Sequence, residues 1–437
     1  MNREKIVKRV LASVMMIGVT VIATGNIFAG DIVSTPNNEL SIGGRMQMLG
    51  VVEALEDTLN AAPKDDERLT FFQKQARLNL KGKYDSTQYY VELVLGGEEV
   101  PKSNSVLSLL DYYIDTPLFG DRYAIKVGQF KIPYSRERLT SPAILNNADR
   151  SIQNLAFNFG RDVGFAVYGN HGNATGAIGI FTAGGMDVPQ RYLPEDLGFP
   201  LIVIRAGLNN KLDKDVFTPY EVERTDNEGT RYAGYINGFY TKDSIIGHST
   251  ALGIKYADKS LFLDSGWNPY VSKTQQAEFY QVGADFAVEM PIGGKVFSSV
   301  VEVNYGEYKN DLGKINIAGG MLKGSVTINK FEIGLRYSAI VPDEGFAFTD
   351  AKGKTYPIVN SDIIQEIAPS VVFNINKSMK IVMDVPIGID SPVVIEKGLG
   401  AYDLLKHPGL TSYVDPAKGI VERQTTYTGR AMFQFIF

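Results

Sequence analysis

The chain of 437 residues contains no cysteine, one tryptophan and three histidines. Without thiols it has no disulfide framework, no iron–sulfur cluster and no cysteine-based zinc site, and three histidines make a His-rich metal centre improbable. Basic surplus is lacking too. The net charge of −5 excludes the basic footprint that nucleic-acid binding requires. Beyond residue 30 no segment is both long and apolar enough to cross a bilayer as a helix: 163–186 lacks formal charge but is broken by Gly, Asn, Thr and His171. Charged residues at 21% and hydrophobic residues at 44% are too polar for a helical membrane protein and too apolar for disorder.

What is present begins with a leader. Arg3, Lys5, Lys8 and Arg9 stand against Glu4, an uncharged run follows from Val10, and Ala29 precedes Gly30. A basic start, an apolar middle and a small residue at the end read as a secretory signal peptide over 1–29, with a barrel domain expected over 30–437. An N-terminal membrane anchor is the competing reading, and its apolar stretch is short for that. Cleavage would remove four basic residues and one acid, so the net charge would fall from −5 to −8.

Downstream the apolar residues recur with period two. In 330–340, Phe331, Ile333, Leu335 and Tyr337 oppose Glu332, Gly334, Arg336 and Ser338. In 72–84, Phe72, Lys74, Ala76, Leu78 and Leu80 oppose Gln73, Gln75, Arg77, Asn79 and Lys81. Such alternation predicts strands with one apolar and one polar face. Seventeen candidates fall near 39–50, 69–84, 87–96, 107–115, 121–130, 160–169, 173–183, 201–209, 230–241, 248–258, 277–290, 295–307, 316–327, 330–340, 364–374, 378–388 and 424–437. A barrel with both ends on one side needs an even number. Sixteen is expected and eighteen is the alternative, with the doubt placed in 184–229.

Connections alternate between short (85–86, 169–172, 291–294, 376–377) and long (49–68, 131–159, 259–276, 341–361, 389–423). Short turns at one end and long loops at the other mark an outer-membrane β-barrel. A soluble sandwich would need a polar outer face, whereas here one face is aromatic and aliphatic in strand after strand. Lipid would cover that face and water would fill the lumen. The expected fold is therefore all-β: a transmembrane antiparallel barrel in the outer membrane of a diderm bacterium.

Three stretches carry a resemblance. They are Val127-Gly128-Gln129-Phe130-Lys131-Ile132-Pro133-Tyr134-Ser135, continuing through Glu137-Arg138-Leu139-Thr140-Ser141; Gly160-Arg161-Asp162-Val163-Gly164-Phe165; and Gly43-Gly44-Arg45-Met46-Gln47. They resemble the porin O/P family of phosphate-selective porins, sharply over 121–184 and diffusely elsewhere. The resemblance implies sixteen strands, a homotrimer and a lumen narrowed by the third long loop. The last strand, with Tyr427, Phe433, Phe435 and Phe437 on one face, resembles the terminal strand of outer-membrane proteins, which implies docking on the barrel-assembly machinery.

The long connection 131–159 is the candidate constriction. Lys131, Arg136, Arg138, Arg150 and Arg161 stand there against Glu137 and Asp149, a surplus of three positive charges in an acidic protein. Folded into a pore, they would favour anions. The lumen wall is expected to carry Arg45, Arg77, Lys81, Lys126, Arg205, Arg336, Lys380 and Arg430, balanced by Glu92, Asp162, Asp285, Glu289, Glu302, Glu332, Glu366 and Asp384. Opposite charges on adjacent strands should largely pair, so phosphate selectivity rests on the resemblance alone.

Catalysis finds little support. His171, His248 and His407 lie outside any nucleophile motif, and Gly353-Lys354-Thr355 lacks the first glycine of a phosphate loop. No cofactor is expected. Two readings remain: a porin passing small hydrophilic solutes with a preference for anions, phosphate included where the resemblance holds, or a non-channel barrel serving as a structural or adhesive surface protein through its long loops.

Overall fold

The computed structural model describes residues 30–35, 38–55, 67–97, 108–120, 122–157, 159–183, 199–220, 229–245, 276–310, 313–342, 347–349, 355–357, 363–396 and 419–437. The leader reading over 1–29 and candidate strand 248–258 lie outside these residues, as do His248 and His407.

The strands are β1 (Gly30–Thr35), β2 (Asn38–Leu55), β3 (Glu67–Tyr84), β4 (Thr87–Gly97), β5 (Ser108–Leu118), β6 (Tyr123–Lys131) and β7 (Arg161–His171). They continue as β8 (Ala174–Phe181), β9 (Phe199–Asn210), β10 (Arg231–Ile245), β11 (Gln276–Ile292), β12 (Lys295–Asn310), β13 (Gly313–Ile328) and β14 (Phe331–Pro342). A small hairpin, β15 (Ala347–Thr349) with β16 (Thr355–Pro357), precedes β17 (Ile364–Asn374), β18 (Met379–Asp384), β19 (Ile387–Glu396) and β20 (Gly419–Ile436).

One sheet holds eighteen of them. β18 and β19 are two halves of one stave, broken at Val385-Pro386, and both lie between β17 and β20. Proline has no N–H for the ladder, which is why the stave breaks there. β1 only covers the stretch of β2 (residues 38–42) that β20, paired with residues 45–55, does not reach. Sixteen staves remain, antiparallel throughout, and the β2–β20 pairing closes the barrel.

The count corrects the expectation in detail. Phe199–Asn210 is a genuine strand paired on both edges, so 184–229 was not the source of the odd number. Among the described residues the wall is complete, with β10 paired directly to β11.

Burial runs opposite to that of a soluble protein. Arg45, Arg77, Glu92, Arg205, Asp285, Glu302, Arg336 and Asp384 are buried on the inner face, while Ile236, Val303, Leu322, Ile333 and Leu335 stand exposed outside. A hydrocarbon surround satisfies the second set; the first must find partners inside. Tight turns at 85–86, 172–173, 293–294 and 329–330 use left-handed residues (Asp85, Gly172, Gly293, Gly294, Asn329), as two-residue hairpins demand. His171 sits at one of these turns, exposed.

Two local features re-aim side chains. Gly128 has φ +135°, and a Cβ there would lie 2.2 Å from the Tyr112 carbonyl oxygen. This glycine lets β6 break its alternation, so that Gln129 and Phe130 are both buried. In β3 the pairing skips Lys74 between Gln47↔Gln75 and Met48↔Gln73. The bulge turns Lys74 away from the apolar face on which alternation placed it, and it is buried inside.

The closing seam rests on the last residue. Phe437 and Gly44 exchange backbone hydrogen bonds of 2.9 and 3.1 Å. Phe435 and Phe437 stack at 5.8 Å between ring centroids.

Candidate constriction and lumen

The connection from β6 to β7 leaves the long-loop end of the barrel and folds into the lumen. It contains two short helices, α1 (Arg136–Leu139) and α2 (Ile152–Ala156), capped by Ser135 and Ser151, whose hydroxyls accept from the Arg138 and Asn154 amides. The capping satisfies amides that so short a helix leaves open.

The inner wall holds this loop from several sides. On one side Tyr134 Oη donates to Asn304 Oδ1 at 2.8 Å, and Glu137 N donates to Glu302 Oε2 at 2.9 Å. On the other, Arg45 reaches Ser141 Oγ (3.1 Å), Gln434 the Ala143 carbonyl (3.0 Å), Lys380 the Leu145 carbonyl (2.8 Å) and Lys74 the Ala148 carbonyl (2.7 Å). Arg336 donates to the Asp149 carbonyl at 2.8 Å, and Asp384 accepts from Ala148 N at 3.0 Å. Each bond joins residues far apart in sequence.

The wall charges pair among themselves. Arg77 meets Glu92 at 3.1 Å, Arg205 meets Asp285 at 2.7 Å, Arg336 meets Glu366 at 2.8 Å and Arg430 meets Asp384 at 2.6 Å. Lys126 lies 3.4 Å from Asp115, with the rings of Phe217 and Tyr113 at 4.4 and 4.6 Å. Lys81 is exposed near the turn end of β3. Asp162 is buried, with one carboxylate oxygen accepting from Thr182.

The five constriction candidates divide into two groups. Arg136 is buried within the loop anchor. It binds Asp213 through two bonds of 3.0 and 2.8 Å and Asp285 through one of 2.7 Å. Burial alone would favour discharge, but Asp285 and Asp213 outweigh it and hold Arg136 above the ordinary arginine pKa.

The other four come together where the loop faces β3–β7. Arg161, Arg150 and Arg138 all act electrostatically on Lys131, and Arg77 and Arg161 act on Arg150. Asp111 binds Arg161 in a fork of 2.9 and 2.8 Å. The Lys131 ammonium donates to the Leu139 carbonyl at 2.8 Å, and Arg150 donates to the Glu137 and Thr140 carbonyls at 3.1 and 2.9 Å. Arg77, Lys131, Arg138, Arg150 and Arg161, with Lys74 beside them, thus meet two wall carboxylates, Glu92 and Asp111, and two loop carboxylates, Glu137 and Asp149. Burial, with Arg77 and Arg161, outweighs the opposing Glu137 and Asp149 and lowers the Arg150 pKa. Glu137 is turned aside, accepting from the Ser151 amide and hydroxyl, and Asp149 pairs with Lys74 at 2.9 Å. Arg138 and Arg150 keep partial exposure.

Alternation did not reveal a second inward segment. The β9–β10 connection starts at the turn end, yet residues 211–220 re-enter the lumen. Leu212, Val216 and Phe217 are buried in one cluster with Phe130, Ile132, Phe157, Phe159, Phe239 and Phe279. Part of the lumen is therefore apolar and packed, contrary to the expectation that water fills it. The available signal was three large apolar residues in a turn-end connection.

Residues 55–197 match the family model described as phosphate-selective porin O and P. No curated protein matches the chain. Among solved structures, an anion-selective porin from Comamonas acidovorans is similar at 12% identity and TM-score 0.52, covering 92% of this chain and 100% of its own. In-vitro folded OmpT, an outer membrane protein of Vibrio cholerae, is similar at 10% identity and TM-score 0.50, covering 94% and 100%. The outer membrane channel DcaP of Acinetobacter baumannii is similar at 11% and 0.50, covering 93% and 100%. At these identities the likeness is one of fold. The chain has the fold of an outer-membrane porin, and the family match points the same way: toward a channel in the outer membrane and away from an enzyme.

Proposed function

We propose that the protein is an outer-membrane porin through which small hydrophilic solutes diffuse passively, with a preference for anions. One observation carries the preference: the cluster of Lys74, Arg77, Lys131, Arg138, Arg150 and Arg161 against Glu92, Asp111, Glu137 and Asp149, a surplus of two positive charges where the inward loop faces the wall. Fixed charge at a narrow passage acts on ions before bulk water can screen it. The guanidinium of Arg161 is forked onto Asp111 and that of Arg77 bonds to Glu92, so the cluster offers a positive field more than a cage of donors converging on one phosphate.

Export through a leader cleaved after Ala29, insertion guided by Tyr427, Phe433, Phe435 and Phe437, a lipid-covered outer face and assembly as a homotrimer complete the proposal. We assign it no catalytic role. The test is a planar bilayer containing purified protein in a salt gradient. Anion-sign reversal potentials are expected, with weak competition of phosphate against chloride. Cation preference would refute the charge argument. Block by micromolar phosphate would make it a phosphate pore, and a folded protein without conductance would favour the surface-protein reading.

A further inference from the structure

We infer that Asp213, in the segment entering from the turn end, is a positioning residue for the constriction, and that residues 211–220 act as a strut closing the lumen beneath the loop against β6–β11. The inference rests on the porin reading above. Two inward segments, one from each end of the barrel, share one apolar cluster and are joined by one charged contact between Arg136 and Asp213. Arg136 of α1 is 1% exposed and grips the Asp213 carboxylate with both terminal nitrogens. Asp285 of β11 takes the remaining Nε–H and binds Arg205 as well. Two guanidiniums and two carboxylates make a neutral knot, with the Tyr235 ring 4.1 Å from Arg205 and 5.4 Å from Arg136.

The strut has its own internal support. Asn209 accepts from Leu212 N and Asp213 N, each at 3.1 Å, and donates to the Asp213 carbonyl at 2.8 Å. Tyr220 N closes back on Asp213 Oδ1 at 3.2 Å. Asp213 is thus held by its own segment before it holds the loop. Leu212, Val216 and Phe217 then fill the space beneath the loop with apolar side chains, which water and ions do not enter.

Helix geometry joins knot and pore. Residues two apart on a helix turn through about 200°, onto opposite faces. Arg136 therefore anchors α1 on the dry side while Arg138 lies on the side of the basic cluster. If the knot is opened, the loop stays in the sequence but its charges lose their fixed place.

Asp213→Ala in the full-length protein should raise unitary conductance, increase open-channel noise and move the reversal potential toward zero, although no pore-facing charge has been changed. Asp213→Glu, which keeps the carboxylate, should restore part of the parental selectivity. A folded Asp213→Ala porin with parental conductance and selectivity would overturn the inference. If that variant fails to fold, the cysteine-free parent allows a second measurement. Cysteines placed singly at Val216 and Arg138 would be treated with a charged thiol reagent during recording. Modification should reduce current at 138 and leave 216 untouched; equal reaction at both would overturn the dry strut. A parental protein with no conductance would instead remove the porin reading itself.

Discussion

Replacing Arg138 with Gln removes one positive charge from the loop without a change of length. The side chain is partly exposed within the basic cluster. An anion passing about 6 Å from a unit charge gains ~0.7 kcal/mol in a water-like dielectric, and a cation loses the same. Their ratio changes by ~1.4 kcal/mol, roughly tenfold before screening. At 0.1 M salt the Debye length is about 10 Å, which reduces the effect to roughly threefold. Arg138→Gln should therefore lower the anion-to-cation permeability ratio roughly threefold, and Arg138→Gln with Arg150→Gln roughly tenfold. Arg150 also binds loop carbonyls, so Arg150→Lys serves as its control: charge kept, most of the bonding lost. The readout is reversal potential in a KCl gradient, at low salt and again near 1 M, where the Debye length of about 3 Å should nearly abolish the difference. Unchanged selectivity in a correctly folded double variant would refute the placement of the constriction. A change that persists at high salt would show that the effect is steric.

Other outcomes follow from the wall and the seam. Arg205→Ala would leave Asp285 with fewer partners in a buried site, a loss of about 3–5 kcal/mol for a broken buried pair, visible as a lower urea midpoint of the heat-modifiable band. Gly44→Ala should reduce the yield of folded barrel, because a Cβ there would lie 2.4 Å from the Phe437 ring and 2.6 Å from the Arg77 carbonyl oxygen; deletion of Phe437 should do the same and leave unfolded protein in the periplasm. Tags inserted after Lys64, Ser272 or Lys352 should be reachable on intact cells and one at Asn376-Lys377 should not, since long loops face outward and short turns inward in such barrels. Labelling at 376–377 without the others would reverse the orientation.

The wall was largely legible because a lipid-facing barrel imposes period two on every stave. Phe331, Ile333, Leu335 and Tyr337 are exposed outward in strict alternation, as read. Alternation fails where the backbone departs from regular strand geometry or pairing. Lys74 reads as lipid-facing until the bulge turns it inward, and Gly128 gives β6 two successive buried residues. The count of seventeen has another cause: apolar periodicity does not name a strand's partner, and the described wall closes with β10 paired directly to β11.

The site was legible as composition and not as arrangement. Five basic residues in one connection could be counted, but their partners lie far away in the chain: Asp213 is 77 residues from Arg136 and Asp285 is 149. That separation decides their roles. A guanidinium between two carboxylates in a packed interior contributes geometry and little field, whereas Arg138, two residues on, contributes field. A count over the loop therefore overstates its charge at the pore by one: the wall adds Lys74 and Arg77 but also Glu92 and Asp111, which cancel. A surplus of two remains with a different membership, and an acidic protein can still present a positive passage, because selectivity depends on the charges within a Debye length of the path and not on the total.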